Sequence, residues 1–284
     1  MRRLGFSTNA FKKTTMEDSI DTIASIGYGG VELMADKPHA LPADMPADRI
    51  ARVRAQLSER HLAVTNINAF TLFACGDTYH PTWIEDDPVR RKVRIDHTIA
   101  AIGLAAAVGA RTVSLQPGGP LIGTRLDERT AAERFAEGLS AVLPAARQHN
   151  VILGIEPEPG LLIQCADEYL RFKQTFFRDE PLVKMNCDIG HLFCVGDDPA
   201  EVIRRLSEHI AHVHLEDIGA NRVHQHLTPG KGVIDFGSVF AALDDVRYDG
   251  WVTVELYPYE TTAAGVARAA MEHLRPLADT AGIG

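Results

Sequence analysis

A strand pattern and a helix pattern alternate eight times between Arg3 and Ala278. Strands read at Arg3–Phe11, Gly30–Ala35, Leu62–Phe70, Arg111–Gly119, Val151–Gly160, Leu182–His191, Ile210–Asp217 and Gly250–Pro258. Stretches with apolar residues at helical spacing lie between them, such as "ADEYLRFKQTF" and "PAEVIRRLSEHI". Asp87 and Pro88 read as the cap and first residue of the third helix. Strict alternation of this kind demands a parallel sheet with helices on it, because each crossover must return to the same sheet edge. Two architectures satisfy that demand. An open doubly wound sheet would carry a glycine-rich phosphate loop after an early strand, and no GxGxxG occurs. Eight units within 284 residues, with no break in composition, instead predict α/β architecture as a single (β/α)8 TIM barrel spanning residues 1–284.

Parallel strands are covered on both sides and should be apolar throughout. Here the late strands end on charge. Strand five ends in Glu156 and Glu158, strand six in Asp188 with His191 just beyond, strand seven in His212, His214 and Glu216, and strand eight in Glu255. Barrel active sites lie at that same C-terminal edge. A single carboxylate at a strand end is commonly a helix cap or a loop salt bridge. Four converging polar groups, Glu156, Asp188, His214 and Glu255, would repel one another or cost several kcal/mol each, in order of magnitude, to desolvate. One divalent ion removes that cost. Three carboxylates and one imidazole suit Mn²⁺, Co²⁺ or Mg²⁺, and Zn²⁺ also accepts such ligands.

Composition narrows the partners. The net charge of -9 repels phosphate backbones, and "VRRKVR" (Val89 to Arg94) reads as the solvated face of a helix start. Nucleic acid is therefore not an expected partner. No apolar run approaches membrane-spanning length, so no membrane association is expected. Cys75, Cys165, Cys187 and Cys194 form no CxxC pair and no signal peptide precedes them, so free thiols in the cytoplasm are expected. A homo-oligomer stays open.

With these residues in hand, the chain resembles the xylose-isomerase-like barrel superfamily over nearly its full length. Its nearest branches are the D-tagatose 3-epimerase type, other sugar and cyclitol isomerases, and the endonuclease IV type of apurinic nuclease. The superfamily's metal-binding glutamate, aspartate, histidine and glutamate match Glu156, Asp188 in "NCDIGH", His214 in "HVHLED" and Glu255 in "VELY". "PGKG" (Pro229 to Gly232) fits its loop after strand seven. The resemblance implies a metal-dependent isomerase or epimerase of a sugar, keto-sugar or cyclitol. Glu156 and Glu255 would remove and return a proton through a metal-stabilised enediolate. The alternative it implies is a lyase of the inosose or dehydroshikimate dehydratase type, which uses the same proton abstraction. A nuclease-like phosphoesterase fits less well. Gln116 in "LQPGG" and Asn66 and Asn68 on strand three stand where the nuclease supplies histidines, and an amide replaces an imidazole poorly on zinc.

Five residues are expected to contact a carbohydrate-like substrate: His191, His226, Glu158, Arg222 and His224. A guanidinium at Arg222 could hold a distal hydroxyl or phosphate bidentately, the competing reading being a surface loop residue. His191, His224 and His226 partly match the nuclease's third metal site, which leaves a second ion as the competing reading. His212, two residues before His214 on the same strand face, is expected one layer deeper as a neutral imidazole bonded within the barrel. Phe11, Phe70, Trp83 and Tyr257 are candidates for the pocket wall.

Overall fold

In a computed structural model that describes residues 3–280 except Cys75, the eight strands close on themselves in sequence order. All eight pairings are parallel, including the closing pair of first and last strands. The strands are β1 (Leu4–Ser7), β2 (Gly30–Met34), β3 (Ala63–Asn68), β4 (Thr112–Leu115), β5 (Ile152–Ile155), β6 (Val183–Asp188), β7 (Ile210–Leu215) and β8 (Val252–Val254). Nine α-helices surround them among the described residues: α1 (Met16–Ile26), α2 (Ala47–Glu59), α3 (Pro88–Val108), α4 (Glu128–His149), α5 (Ala166–Phe176), α6 (Ile189–Val195), α7 (Pro199–Leu206), α8 (Phe236–Asp245) and α9 (Ala263–Thr280). None of them is long and apolar enough to cross a membrane. Cys165, Cys187 and Cys194 are free thiols, and Cys75 lies outside the described residues.

Every strand stops short of the stretch its pattern predicted, mostly at the C-terminal end. The expected first strand ends at Ser7, and Thr8–Phe11 form a 3-10 turn capped by the Ser7 hydroxyl, which accepts from Asn9 N at 3.3 Å. The sixth strand ends at Asp188 rather than His191. Asp188 Oδ1 accepts from the backbone N–H of His191 at 2.8 Å and starts α6, a helix hidden by the apolar run "IGHLFCV". The barrel thus turns outward where the charged residues begin.

Alternation divides each strand into two sets. Val31, Leu33, Val113, Leu115, Leu153, Ile155, Val213, Leu215, Val252 and Val254 are all fully or nearly fully buried and join the apolar layer shared with the helices. The other set faces the barrel axis, and it is polar. Glu32 on β2 lies 2.6 Å from His214 on β7, strands that are not neighbours in the sheet, so the contact crosses the interior. Asn66 bonds Ser114, and Thr253 bonds Thr65 within the same space. Barrel interiors are ordinarily filled by branched aliphatic side chains. A polar interior is costly unless its groups find partners, and here Glu32, His214, Asn66, Ser114, Thr65 and Thr253 bond one another.

Candidate active site

The donors converge because the strand register aligns them. Asp188 pairs with His214 across β6 and β7, and His214 pairs with Thr253 of β8. Glu156 and Glu255 follow the last residues of β5 and β8 and continue the ladder, donating from N to Leu115 O at 3.1 Å and Leu215 O at 3.0 Å. His214 Nδ1 consequently stands 2.9 Å from Glu156 Oε1, 3.8 Å from Asp188 Oδ2 and 3.9 Å from Glu255 Oε1. One donor atom from each of the four residues falls within 4.8 Å of every other. Two donors each about 2.1 Å from one ion stand roughly 3–4 Å apart, so these separations fit a shared cation. Two of the carboxylate oxygens, Glu156 Oε2 and Asp188 Oδ2, are buried without any hydrogen-bond partner. Both belong to the donor set, and unpartnered buried oxygens are what a cation would satisfy. The residues present fit a divalent metal.

Electrostatics agree with that reading. Burial pushes the Glu255 carboxyl up to about 8 against the pull of His214, with Glu156 and Glu32 adding to the rise. Burial opposes the charge on His214 too, but Glu32 and Glu156 hold its pKa well above the ordinary histidine value. Burial likewise opposes ionisation of Asp188, but His191, Glu216, His226 and His214 together more than offset it, so Asp188 stays below the usual carboxylate range. Without an ion the cluster must borrow protons to offset its negative charges.

A cavity of about 160 Å³ opens beside the four donors. Glu156, Glu158, Glu255, His191 and His224 line one end, and Asn9, Lys12, Asn68, Phe70, Tyr79 and Tyr257 line the rest. Drug-sized ligands occupy about 300–1,000 Å³, so this space fits one small ring or short chain. Tyr79 donates its hydroxyl to Glu158 Oε1 at 2.8 Å, and burial pushes the Glu158 carboxyl up to about 7. Asn9 and Asn68 both donate to Glu255 Oε1, at 2.8 and 3.0 Å.

The three remaining histidines form a nest. His191 Nδ1 lies 3.0 Å from Pro157 O, and His226 Nδ1 lies 3.0 Å from Glu255 O. Carbonyl oxygens only accept, so each Nδ1 carries a proton. The two Nε2 atoms then face each other at 3.3 Å, with His224 Nε2 3.1 Å from that of His226. A proton on His191, whose pKa Asp188 and Glu158 raise against the effect of burial, satisfies the pair. The same atoms form a group able to hold an ion. The loop that carries His224 and His226 is folded around Asp217. Its carboxylate accepts from the backbone N–H groups of Ile218, Gly230, Gly232 and Ile234 at 2.7–3.1 Å. Asp217 is therefore a loop clamp.

Several expected wall and contact residues lie elsewhere. Arg222 does not line the cavity. It adopts a left-handed backbone (φ 56°), lays its guanidinium 4.5 Å over the Phe193 ring and donates to Phe193 O at 3.1 Å. Trp83 packs on Phe135 at 5.6 Å and Phe11 on Phe6 at 5.8 Å, both in the core. Phe70 and Tyr257 do line the cavity. Among residues that sequence reasoning passed over, Asn9 and Lys12 sit on the first turn after β1, and Glu32 lies mid-strand. Lys12 is paired with Glu260 at 2.9 Å.

Glu216 continues β7 inward with its carboxyl fully buried against that of Asp188. Burial and the Asp188 charge raise its pKa well above normal, so it is a neutral acid beside an ionised one. It fits only because residue 190 has no side chain: a Cβ there would stand 1.6 Å from Glu216 Oε1. Gly190→Ala is expected to destabilise the protein by about 1–3 kcal/mol, the cost of overpacking. Thermal unfolding of the two proteins checks it, and an unchanged midpoint would show that Glu216 moves aside freely.

Comparison with known proteins is consistent with this geometry. The family model for the xylose isomerase-like TIM barrel matches residues 20–277. An inosose dehydratase of Clostridium perfringens is 24% identical over 270 residues, covering 86% of this chain and 83% of that protein. Among solved structures, a D-tagatose 3-epimerase-like protein superposes with a TM-score of 0.80 at 19% identity, over 99% of this chain and 100% of the other. An IOLI protein with a bound zinc atom superposes at 0.79 and 15% identity, over 98% of both chains.

Proposed function

The chain belongs to the xylose isomerase-like TIM barrel family, and within it we propose a divalent-metal-dependent lyase that removes water from a small cyclic polyol ketone of the inosose type. The sugar isomerase or epimerase reading shares its first step and is the reading that the test below separates from it. The observation that carries the lyase is Glu158. An isomerisation needs a base and an acid at carbon, which Glu156 and Glu255 supply between them. An elimination needs in addition an acid at the departing hydroxyl. Glu158 is a buried carboxyl that titrates to about 7 from the desolvation of its site, and it faces the same cavity as Glu156 and Glu255. The likeness to inosose dehydratases along most of the chain supports the same choice.

A divalent ion held by Glu156, Asp188, His214 and Glu255 would act as a Lewis acid on the substrate carbonyl. The chain's own groups do the rest. Asn9 and Asn68 anchor one oxygen of Glu255, leaving the other to take the proton from the carbon beside the carbonyl. Glu158, oriented by Tyr79, gives its proton to the hydroxyl on the next carbon, which leaves as water. The electron pair of the broken carbon–hydrogen bond becomes the new double bond, the pair of the broken carbon–oxygen bond leaves with the water, and one proton taken is balanced by one given. His191 and His224 line the cavity and contact substrate oxygens, and His226 stands behind them with its Nε2 at 3.3 and 3.1 Å from theirs. His226→Ala is expected to keep one ion per chain and to raise KM, and metal analysis with steady-state kinetics checks both. Two ions in the parent falling to one in the variant would instead make the nest a metal site.

The test uses protein reconstituted with Mn²⁺, Co²⁺ or Mg²⁺ and supplied with a cyclic polyol ketone in deuterated water. The lyase produces an enone absorbance and a mass loss of one water. Glu158→Gln should abolish that product while solvent deuterium still enters beside the carbonyl. Deuterium uptake with no loss of water in the parent would establish the isomerase reading instead.

A further inference from the structure

Glu32 does not line the cavity beside the four donors, yet its carboxylate is fully buried against His214. We propose that Glu32 is a positioning residue for the metal: it holds the His214 ring so that Nδ1, and not Nε2, is the nitrogen offered to the ion. The inference rests on the metal-dependent reading above, and its test separates the two.

His214 Nε2 stands 2.6 Å from Glu32 Oε2. An ionised carboxylate only accepts hydrogen bonds, so Nε2 must carry the proton. In the ion-free protein the charged ring also donates from Nδ1 to Glu156 Oε1 at 2.9 Å; once an ion takes the place of that proton the ring is neutral, with its lone pair on Nδ1. A lone pair facing carboxylate oxygens is unfavourable until a cation lies between them. Glu32 thus sets both the tautomer and the direction of the ligand, as carboxylates behind metal-bound histidines do.

Glu32 itself has little freedom to turn. Asn66 Nδ2 donates to its Oε2 at 2.8 Å and also reaches Ser114 Oγ at 2.8 Å. Asn68 Nδ2 lies 3.2 Å from its Oε1 and 3.0 Å from Glu255 Oε1, so one amide ties the positioning carboxylate to a proposed ligand. His212 Nε2 stands 3.5 Å away on the barrel axis. The competing arrangement puts an ion among Glu32, His212 and His214, which also form a compact donor group. That ion would sit on Nε2. The two nitrogens of an imidazole point to opposite sides of the ring, so a single ion cannot occupy both places.

Cadmium-loaded protein carrying nitrogen-labelled histidine decides between them by NMR. Metal coupling at Nδ1 of His214, with a slowly exchanging proton on Nε2, is expected. Coupling at Nε2 would overturn the proposal, and this measurement needs no variant. Titration of the metal-free proteins with Mn²⁺ supplies the second reading. Glu32→Gln, which removes the charge, and Glu32→Asp, which keeps it but draws it back by one methylene, should each bind about 10–100-fold more weakly. Their metal-free melting points report any purely structural effect separately. Parent protein that binds no metal would overturn both this inference and the metal-dependent lyase. Parent protein that binds metal, with unchanged affinity in Glu32→Gln, would overturn this inference alone.

Discussion

Replacing Glu255 by Gln is expected to lower kcat by about 100- to 10,000-fold, the usual contribution of a positioned acid or base, with a much smaller change in KM. The substitution is isosteric and keeps an oxygen that Asn9 and Asn68 can still hold, so the pocket should persist. What it removes is the group whose burial raises its proton affinity to about 8 in the metal-free protein, a site poised to accept a proton. Glu156→Gln should lower kcat alike only in the isomerase reading, in which Glu156 shares the proton transfer with Glu255 in the same cavity; in the lyase it should weaken metal binding instead. An interaction used only in the transition state lowers kcat and kcat/KM together. Steady-state kinetics and exchange of the substrate proton with solvent check this. Near-normal exchange in Glu255→Gln would make Glu255 a ligand only.

The second large effect is expected from His214→Ala, through metal binding. The variant loses the one nitrogen donor of the proposed site and should bind Mn²⁺ at least about 100-fold more weakly, more than the loss from a supporting residue alone. Activity should disappear with the ion. The metal-free protein should suffer as well. His214 is fully buried and holds its charge through Glu32 and Glu156 against the desolvation that opposes it. Removing it leaves buried carboxylates uncompensated, a cost on the order of 3–5 kcal/mol. Urea unfolding of the metal-free proteins measures that cost, and an unchanged midpoint would mean the carboxylates simply take up protons.

Part of this was legible in the chain and part was not, for physical reasons. Eight alternations without a phosphate loop left little room for any fold except a closed barrel. Glu156, Asp188, His214 and Glu255 stood out because a charge after an apolar strand is expensive unless it serves a purpose. Glu32 carried the same signal, a charge within a strand covered on both faces, but it lies mid-strand and away from the edge where sites are sought. Asn9 and Asn68 gave no such signal, since an amide costs less to bury than a charge and is ordinary near turns. Asp188 at the head of α6 was a readable helix cap that the following apolar run concealed. The side chain of Arg222 turns toward Phe193 through a left-handed backbone, which a residue type alone does not announce.

The central claim is that Glu156, Asp188, His214 and Glu255 together hold one divalent ion. Metal analysis of the freshly purified chain, repeated after chelation and reconstitution with Mn²⁺, Co²⁺ or Mg²⁺, tests it most directly. One ion per chain is expected, removed by chelator together with activity and restored with it, and absent from His214→Ala. Protein that turns over substrate with no bound ion, or that binds its ion equally well in His214→Ala, would contradict it.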